Sequence, residues 1–94
     1  MREDVTRRLI VHGRVQGVWY RGWTVDQARS LGLDGWARNR SDGTVEILAS
    51  GPEAAVAALI ARCHEGPPAA RVERVDVTET DETPPAGFAQ RPSS

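Results

Sequence analysis

A chain of 94 residues has the length of one folding unit, and a hydrophobic content of 39% suffices for one modest core. The formal charge of −1 argues against a polyanionic partner such as nucleic acid or an acidic membrane surface, and all twelve basic residues are arginine. The lone cysteine, Cys63, excludes an internal disulfide, and no apolar run has the length of a membrane span or the layout of a secretory leader. A single cytoplasmic domain over residues 1–94 is therefore expected, with an ordered core over about 7–80 and peripheral segments at 1–6 and 81–94.

The first predicted element is a strand over Arg7–Gly13, RRLIVHG, with Leu9 and Val11 on one face. A glycine-containing loop follows, and then a helix of about ten residues reaching Leu31, in which Thr24, Ala28 and Leu31 share a face. Gly32 is its natural stop. Gly35–Ser41 and Thr44–Ala49 alternate as strands do, and Asp42-Gly43 between them predicts a tight hairpin.

Ser50 and Glu53 then have the spacing of a capping box, with Pro52 in the first turn. In the helix they would open, Val56, Leu59, Ile60 and Cys63 form a core-facing stripe before Gly66-Pro67-Pro68 ends it. Arg71–Thr80 reads as a strand with Val75 and Val77 on one face. A short last strand would be anchored by Phe88 and stopped by Pro92. The order is that of an α+β, ferredoxin-like split βαβ sandwich (βαββαβ), an antiparallel sheet with two helices on one face. That architecture hosts many functions, so the site must be argued separately.

The stretch VHGRVQGVWYRGW, Val11–Trp23, contains no Asp, Glu or Pro. Successive peptide N–H groups in a tight turn make a concave anion site, and the helix N-terminus behind them adds unpaired donors. Arg21 stands where the loop meets the helix, and a guanidinium grips two phosphate oxygens at once. The loop thus reads either as a cradle for a small oxyanion or as an ordinary strand-to-helix connection that needs its glycines to turn. Asn39 reads either as an amide that orients a water through its donor and acceptor, or as a turn-forming residue before Ser41-Asp42-Gly43.

The remaining chemistry-bearing residues are sparse. His12 and His64 have no ligand-like neighbours in sequence, and Cys63 lies on the core stripe, so all three read as structural. Trp19, Trp23 and Trp36 read as core and rim packing rather than as a stacking surface for bases. No metal site and no nucleophile with an adjacent base is expected.

Taken together, HGRVQGVWYRGWT and GLDGWARNRSDGTVE resemble the two motifs of the acylphosphatase family. Gly13, Val15, Gln16, Gly17, Val18, Tyr20 and Arg21 match the first motif. Gly35, Trp36, Asn39, Asp42, Gly43, Val45 and Glu46 match the second, at the expected separation, and the resemblance extends from about Leu9 through Val77. It implies a cofactor-free hydrolysis of acyl phosphates in which Arg14, Val15, Gln16, Gly17, Val18, Trp19 and Tyr20 supply backbone N–H groups to the phosphate. Arg21 would bind the phosphate oxygens and Asn39 hold the attacking water.

Three positions depart from the family pattern: Tyr20 stands for a more usual Phe, Ala37 for Val, and Gln90 for an apolar strand residue. The first two read as packing changes, and the third weakens the expected last strand. The partner implied is a small-molecule acyl phosphate, with no nucleic acid and no membrane, and a monomer is expected. Two other readings compete. One is a domain of the same fold that binds an oxyanion or carbamoyl phosphate without turnover. The other is an RNA-binding sheet, which would need aromatics on its central strands where RRLIVHG has none and TVEILAS carries an acid.

Overall fold

The computed structural model describes residues 4–93. Seven elements follow one another: β1 (Asp4–Arg14), α1 (Tyr20–Ser30), β2 (Asp34–Asn39), β3 (Val45–Pro52), α2 (Glu53–Glu65), β4 (Arg71–Glu79) and β5 (Phe88–Gln90). The sheet order is β4-β1-β3-β2-β5. β1 and β2 flank β3 antiparallel to it, and β4 lies antiparallel on the outer side of β1, so each βαβ crossover encloses one strand of the other. This is the ferredoxin-like arrangement. β5 runs parallel to β2, pairing Gly35 with Phe88 and Ala37 with Gln90, so the five-stranded sheet is mixed, with four antiparallel strands and one parallel edge.

Alternation along the strands builds the core. Leu9 and Val11 of β1, Ala37 of β2, and Val45, Ile47 and Ala49 of β3 are fully buried and pack with Tyr20, Val25 and Ala28 of α1 and Val56, Leu59 and Cys63 of α2. Ile60, on the predicted stripe, packs against this cluster from its margin. The α1 helix ends as Gly32 predicts. At φ 71° Gly32 takes the left-handed conformation, its N–H donates to the Arg29 carbonyl (3.0 Å), and that of Leu33 donates to Ala28 (3.0 Å). The Arg29 carbonyl of the last turn, which the helix itself leaves without a partner, is satisfied in this way.

Several boundaries differ from those read in the sequence. Met1–Glu3 and Ser94 lie outside the described residues, but Asp4, Val5 and Thr6 are not frayed. They extend β1 by pairing with Pro52, Gly51 and Ser50. That pairing displaces the expected capping box. Ser50 remains in β3 opposite Thr6 and accepts its hydroxyl proton (2.9 Å), while α2 begins at Glu53 behind Pro52 with no side-chain cap. The connection between β2 and β3 spans Arg40–Thr44 rather than two residues. The Arg40 N–H donates to the Thr44 carbonyl (2.9 Å), and Asp42 Oδ1 accepts from the Thr44 N–H (3.0 Å) and hydroxyl (2.6 Å). Those two bonds favour the charged carboxylate and hold the Asp42 pKa below its ordinary value.

A bulge between His12 and Gly13 changes the register of β4, so that Gly13 faces Val72 while His12 faces Arg74. A Cβ on Gly13, at φ 125°, would lie 2.1 Å from the Arg71 carbonyl oxygen, so only glycine permits this approach. With one extra residue on β4, Val72 and Val75 both pack on the core; Val77 shares the face of Val75 and is 40% exposed.

The opposite face of the sheet carries a charged ladder over two buried apolar residues, Trp36 and Leu48. Glu46 sits between Arg8 and Arg38, with the Arg38 Nε and Nη2 each 2.8 Å from Oε1 and Arg8 bonded to Oε2. Arg8 also pairs with Glu82. Burial by itself raises the Glu46 pKa, but the hydrogen bonds and charges of Arg38 and Arg8 outweigh it, and the net shift is downward. A carboxyl whose folded-state pKa is depressed stabilises the fold fully above its unfolded-state value of about 4.3, and this contribution disappears as pH falls through the lower folded-state value. Glu46→Gln is therefore expected to lose about 1–3 kcal/mol in urea denaturation near pH 7. The gap between the two proteins should narrow at about pH 3; a gap of the same size at both pH values would contradict the ladder's role.

Candidate active site

Between β1 and α1 the chain turns over residues 15–19, placing the glycine-rich loop at the N-terminus of α1. A cleft of about 130 Å³ opens there, lined by Val15, Gly17, Trp19, Tyr20, Arg21, Gly22, Asn39 and Gln90. Arg21 and Asn39, 18 positions apart in sequence, thus meet in one cleft with the loop between them. Asn39 is the last residue of β2 and shares the helix-covered face with Ala37, which brings it to the end of the sheet where α1 starts. Gly17 turns the loop at φ 73°.

The other loop residues divide by role. Val15 is buried in the core cluster and Val18 packs against it, so these two side chains anchor the loop. Arg14 is exposed at the end of β1 opposite Arg71 and is not among the cleft-lining residues. Gln16 points elsewhere: its side-chain amide donates to the carbonyls of both Arg40 (2.8 Å) and Thr44 (2.9 Å), the two ends of the β2–β3 connection. It ties the loop to the strand that carries Asn39. A half-buried amide bridging two backbone acceptors leaves no trace in spacing or periodicity, so sequence reasoning could not find this bond.

Tyr20 is more than a packing change from Phe. Its hydroxyl donates to the Cys63 carbonyl (2.7 Å), one of the α2 carbonyls that the helix itself cannot satisfy near its end. Burial, reinforced by Cys63, raises the phenol pKa and keeps the group protonated and able to donate. Cys63 is itself buried, with its thiol pushed up to about 12, so it stays a neutral core residue.

Arg21 is held by the segment after β5. One Nη1 donates to the Arg91 carbonyl (3.2 Å), and the Arg91 N–H donates to Ala37 of β2 (2.8 Å). A guanidinium has five N–H donors, and one carbonyl leaves most of them for a ligand. The Arg91 side chain lies over the Trp36 ring at 4.6 Å, with Arg38 at 4.9 Å from the same centroid. Gln90, the departure expected to weaken the last strand, does not prevent it: β5 forms, Phe88 is buried, and Gln90 lines the cleft.

The remaining polar residues lie apart from the cleft. His12 Nε2 lies 2.9 Å from Asp76 Oδ2 and 3.2 Å from Arg74 Nη2 across β1 and β4, and His64 is exposed on α2. Trp23 tilts against Tyr20 at 5.5 Å. Among the described residues no three His, Cys, Asp or Glu side chains are grouped as a metal site requires, and no helix is long and apolar enough to cross a membrane.

A small split-βαβ sandwich with Arg21 and Asn39 brought together in one cleft at the end of the sheet defines a narrow class. The acylphosphatase family profile matches residues 7–90. An acylphosphatase from Rhizorhabdus wittichii is 54% identical over 91 residues, which cover 97% of this chain and 92% of that protein. The solved structure of an acylphosphatase from Coxiella burnetii superposes with a TM-score of 0.90 at 34% identity, covering 94% of this chain and 93% of that one. Full-length HypF, solved in its phosphate- and nucleotide-bound form, matches with a TM-score of 0.91 at 26% identity over 99% of this chain and 12% of HypF. The chain belongs to the acylphosphatase family. It is an enzyme of that family, a hydrolase of acyl phosphates.

Replacing Gln16 by Leu removes both amide bonds and leaves two carbonyls to find water. A loss of about 1–3 kcal/mol in denaturant stability is expected, accompanied by a drop in kcat larger than any rise in KM, because Asn39 is carried by the strand that Gln16 fixes. An unchanged kcat in a destabilised Gln16→Leu protein would show that the bridge serves the fold alone.

Proposed function

We propose that the cleft hydrolyses acyl phosphates without a metal ion, with the loop N–H groups and Arg21 holding the phosphoryl group and Asn39 orienting the attacking water. The observation that carries this reading is the convergence of Arg21 and Asn39 on one cleft with the glycine loop and the start of α1. In this reading the N–H donors come from residues 14–20, the loop with the end of β1 and the start of α1, and the helix N-terminus adds partial positive charge. Arg21 supplies a full charge in a forked geometry suited to two phosphate oxygens.

The substrate explains why so sparse a site is sufficient. The group that leaves is a carboxylate, whose conjugate acid has a pKa of about 4 to 5. It departs as an anion without a general acid. Water forms a new bond to phosphorus, the bond from phosphorus to the acyl oxygen breaks, and the second proton of the water passes to a phosphate oxygen. Carboxylate and inorganic phosphate result. Phosphoryl transfer depends mainly on positioning and charge stabilisation, and these are the roles of Asn39 and of Arg21 with the loop donors. A phosphate monoester, whose alkoxide leaves poorly, should be a bad substrate. The chain acts in this reading as a cytoplasmic monomer on a small molecule.

Benzoyl phosphate hydrolysis measured with EDTA present tests the metal-free mechanism; a rate that collapses on chelation and returns with added metal would overturn it. Arg21→Ala is expected to lower kcat/KM by about 10²–10³-fold or more and to remove competitive inhibition by inorganic phosphate. Asn39→Ala should retain that inhibition while kcat falls about a hundredfold. Near-normal turnover in Asn39→Ala would exclude the water-orienting role. Phosphate binding with no turnover in the wild type would instead favour an oxyanion-binding domain.

A further inference from the structure

We propose that Trp19 is the acyl-group platform of the cleft, an indole face that selects acyl phosphates with an aromatic acyl group over those as small as acetyl. The inference rests on the reading of the cleft as the phosphoryl site and adds the part of the substrate that the loop donors and Arg21 do not contact. Trp19 is 62% exposed and lines the same cleft as Arg21 and Asn39. The only other exposed large apolar residue among those described is Val77 on β4, which does not line the cleft.

Two features indicate that this exposure is organised. Trp19 has φ 65° and ψ 25°, and it is the one residue other than glycine with a positive φ among those described. A bulky side chain in the left-handed region is a genuine outlier, and Gly or Asn would take that conformation at lower cost. Strained residues of this kind cluster at ligand sites. The indole is also seated. A Cβ built on Gly22 would fall 2.1 Å from Trp19 Nε1 and 2.5 Å from Cε2, so the indole edge rests against the bare backbone of the first turn of α1. A side chain held in this way has little freedom left to lose when a ligand stacks on it.

The geometry of the reaction supplies the third argument. In-line displacement puts the attacking water and the leaving group on opposite sides of phosphorus. With water at Asn39 on β2, the acyl group leaves away from that strand, and the loop carrying Trp19 forms a border of the cleft that β2 does not. An aromatic acyl group there meets an apolar ring face, to which rings stack in offset or tilted geometry. An acetyl group is too short to cover it.

The test compares kcat/KM for benzoyl phosphate with kcat/KM for acetyl phosphate in each protein, a ratio in which any change in the common phosphate grip cancels. The wild type should favour the benzoyl substrate. Trp19→Gly, which relieves the left-handed strain while deleting the ring, should lower the ratio about two- to tenfold. Trp19→Phe should restore most of it. Gly22→Ala is the second variant: alanine is the better helix former, so the fold is kept, but its methyl group unseats the indole, and the ratio should fall again. Ratios within twofold of wild type in both Trp19→Gly and Gly22→Ala would overturn the platform. Competitive inhibition by inorganic phosphate, measured alongside, separates the two claims. Its absence in the wild type would sink the phosphoryl cleft and the platform with it, whereas intact inhibition with unchanged ratios would sink the platform alone.

Discussion

The side-chain amide of Gln16 spans two carbonyls at the mouth of the β2–β3 connection, and the geometry of the cleft depends on that bridge. One wall of the cleft is the loop, fixed from below by Val15 in the core. The other includes Asn39 at the end of β2. Nothing covalent or regular joins the two, since the loop follows β1 and Asn39 belongs to a strand separated from β1 by β3. A bond of neutral amide to neutral carbonyl contributes only about 0.5–1.5 kcal/mol to stability, but its directionality fixes the position of one wall against the other. In the mechanism proposed above, which proceeds by positioning, a shift of about 1 Å in either wall is consequential, so this small energy carries a large effect on chemistry.

The two faces of the sheet divide the work. The helix-covered face holds the apolar core, from Leu9 and Ile47 to Leu59 and Cys63. The other holds Trp36 and Leu48 beneath arginines that are themselves tied to Glu46. Arg91 joins this side to the cleft, since its side chain stacks on Trp36 while its carbonyl accepts from Arg21. Arg21 is therefore placed by a segment that contributes little area to the core, through a three-residue strand that pairs parallel to β2.

Most of the architecture was legible in the sequence because each element carried its own periodicity and punctuation. The stripe on α2, Gly32 at the end of α1 and the alternation in β2 and β3 are local signals. The motif residues likewise single out Arg21 and Asn39, which the fold brings into one cleft. Most of the misread features are decided by contacts distant in sequence. Ser50 had the spacing of a helix cap, but Thr6 competes for it across the sheet. Val75 and Val77 do share a face, opposite Val11 and Leu9, but the bulge at Gly13 adds Val72 to the core side of β4, which periodicity alone could not reveal. Tyr20 looked like Phe with a spare oxygen until the end of α2 was seen to need a donor. Gln90 reads as a defect in a strand, yet it stands at the border of the cleft, where a polar residue meets solvent.

The strand order has a kinetic consequence. β1 pairs on one side with β3 and on the other with β4, bringing Arg7 opposite Glu79, and β5 must then cross to the far edge to meet β2. Non-local pairing of this kind makes folding slow relative to helical proteins, because loop closure precedes the contacts that reward it. The cleft draws on the loop after β1, the start of α1, the end of β2 and the end of β5, so no partly assembled intermediate can contain it. Recovery of turnover after dilution from denaturant should consequently follow the slowest structural phase, and activity appearing ahead of it would show that β5 is dispensable to the cleft.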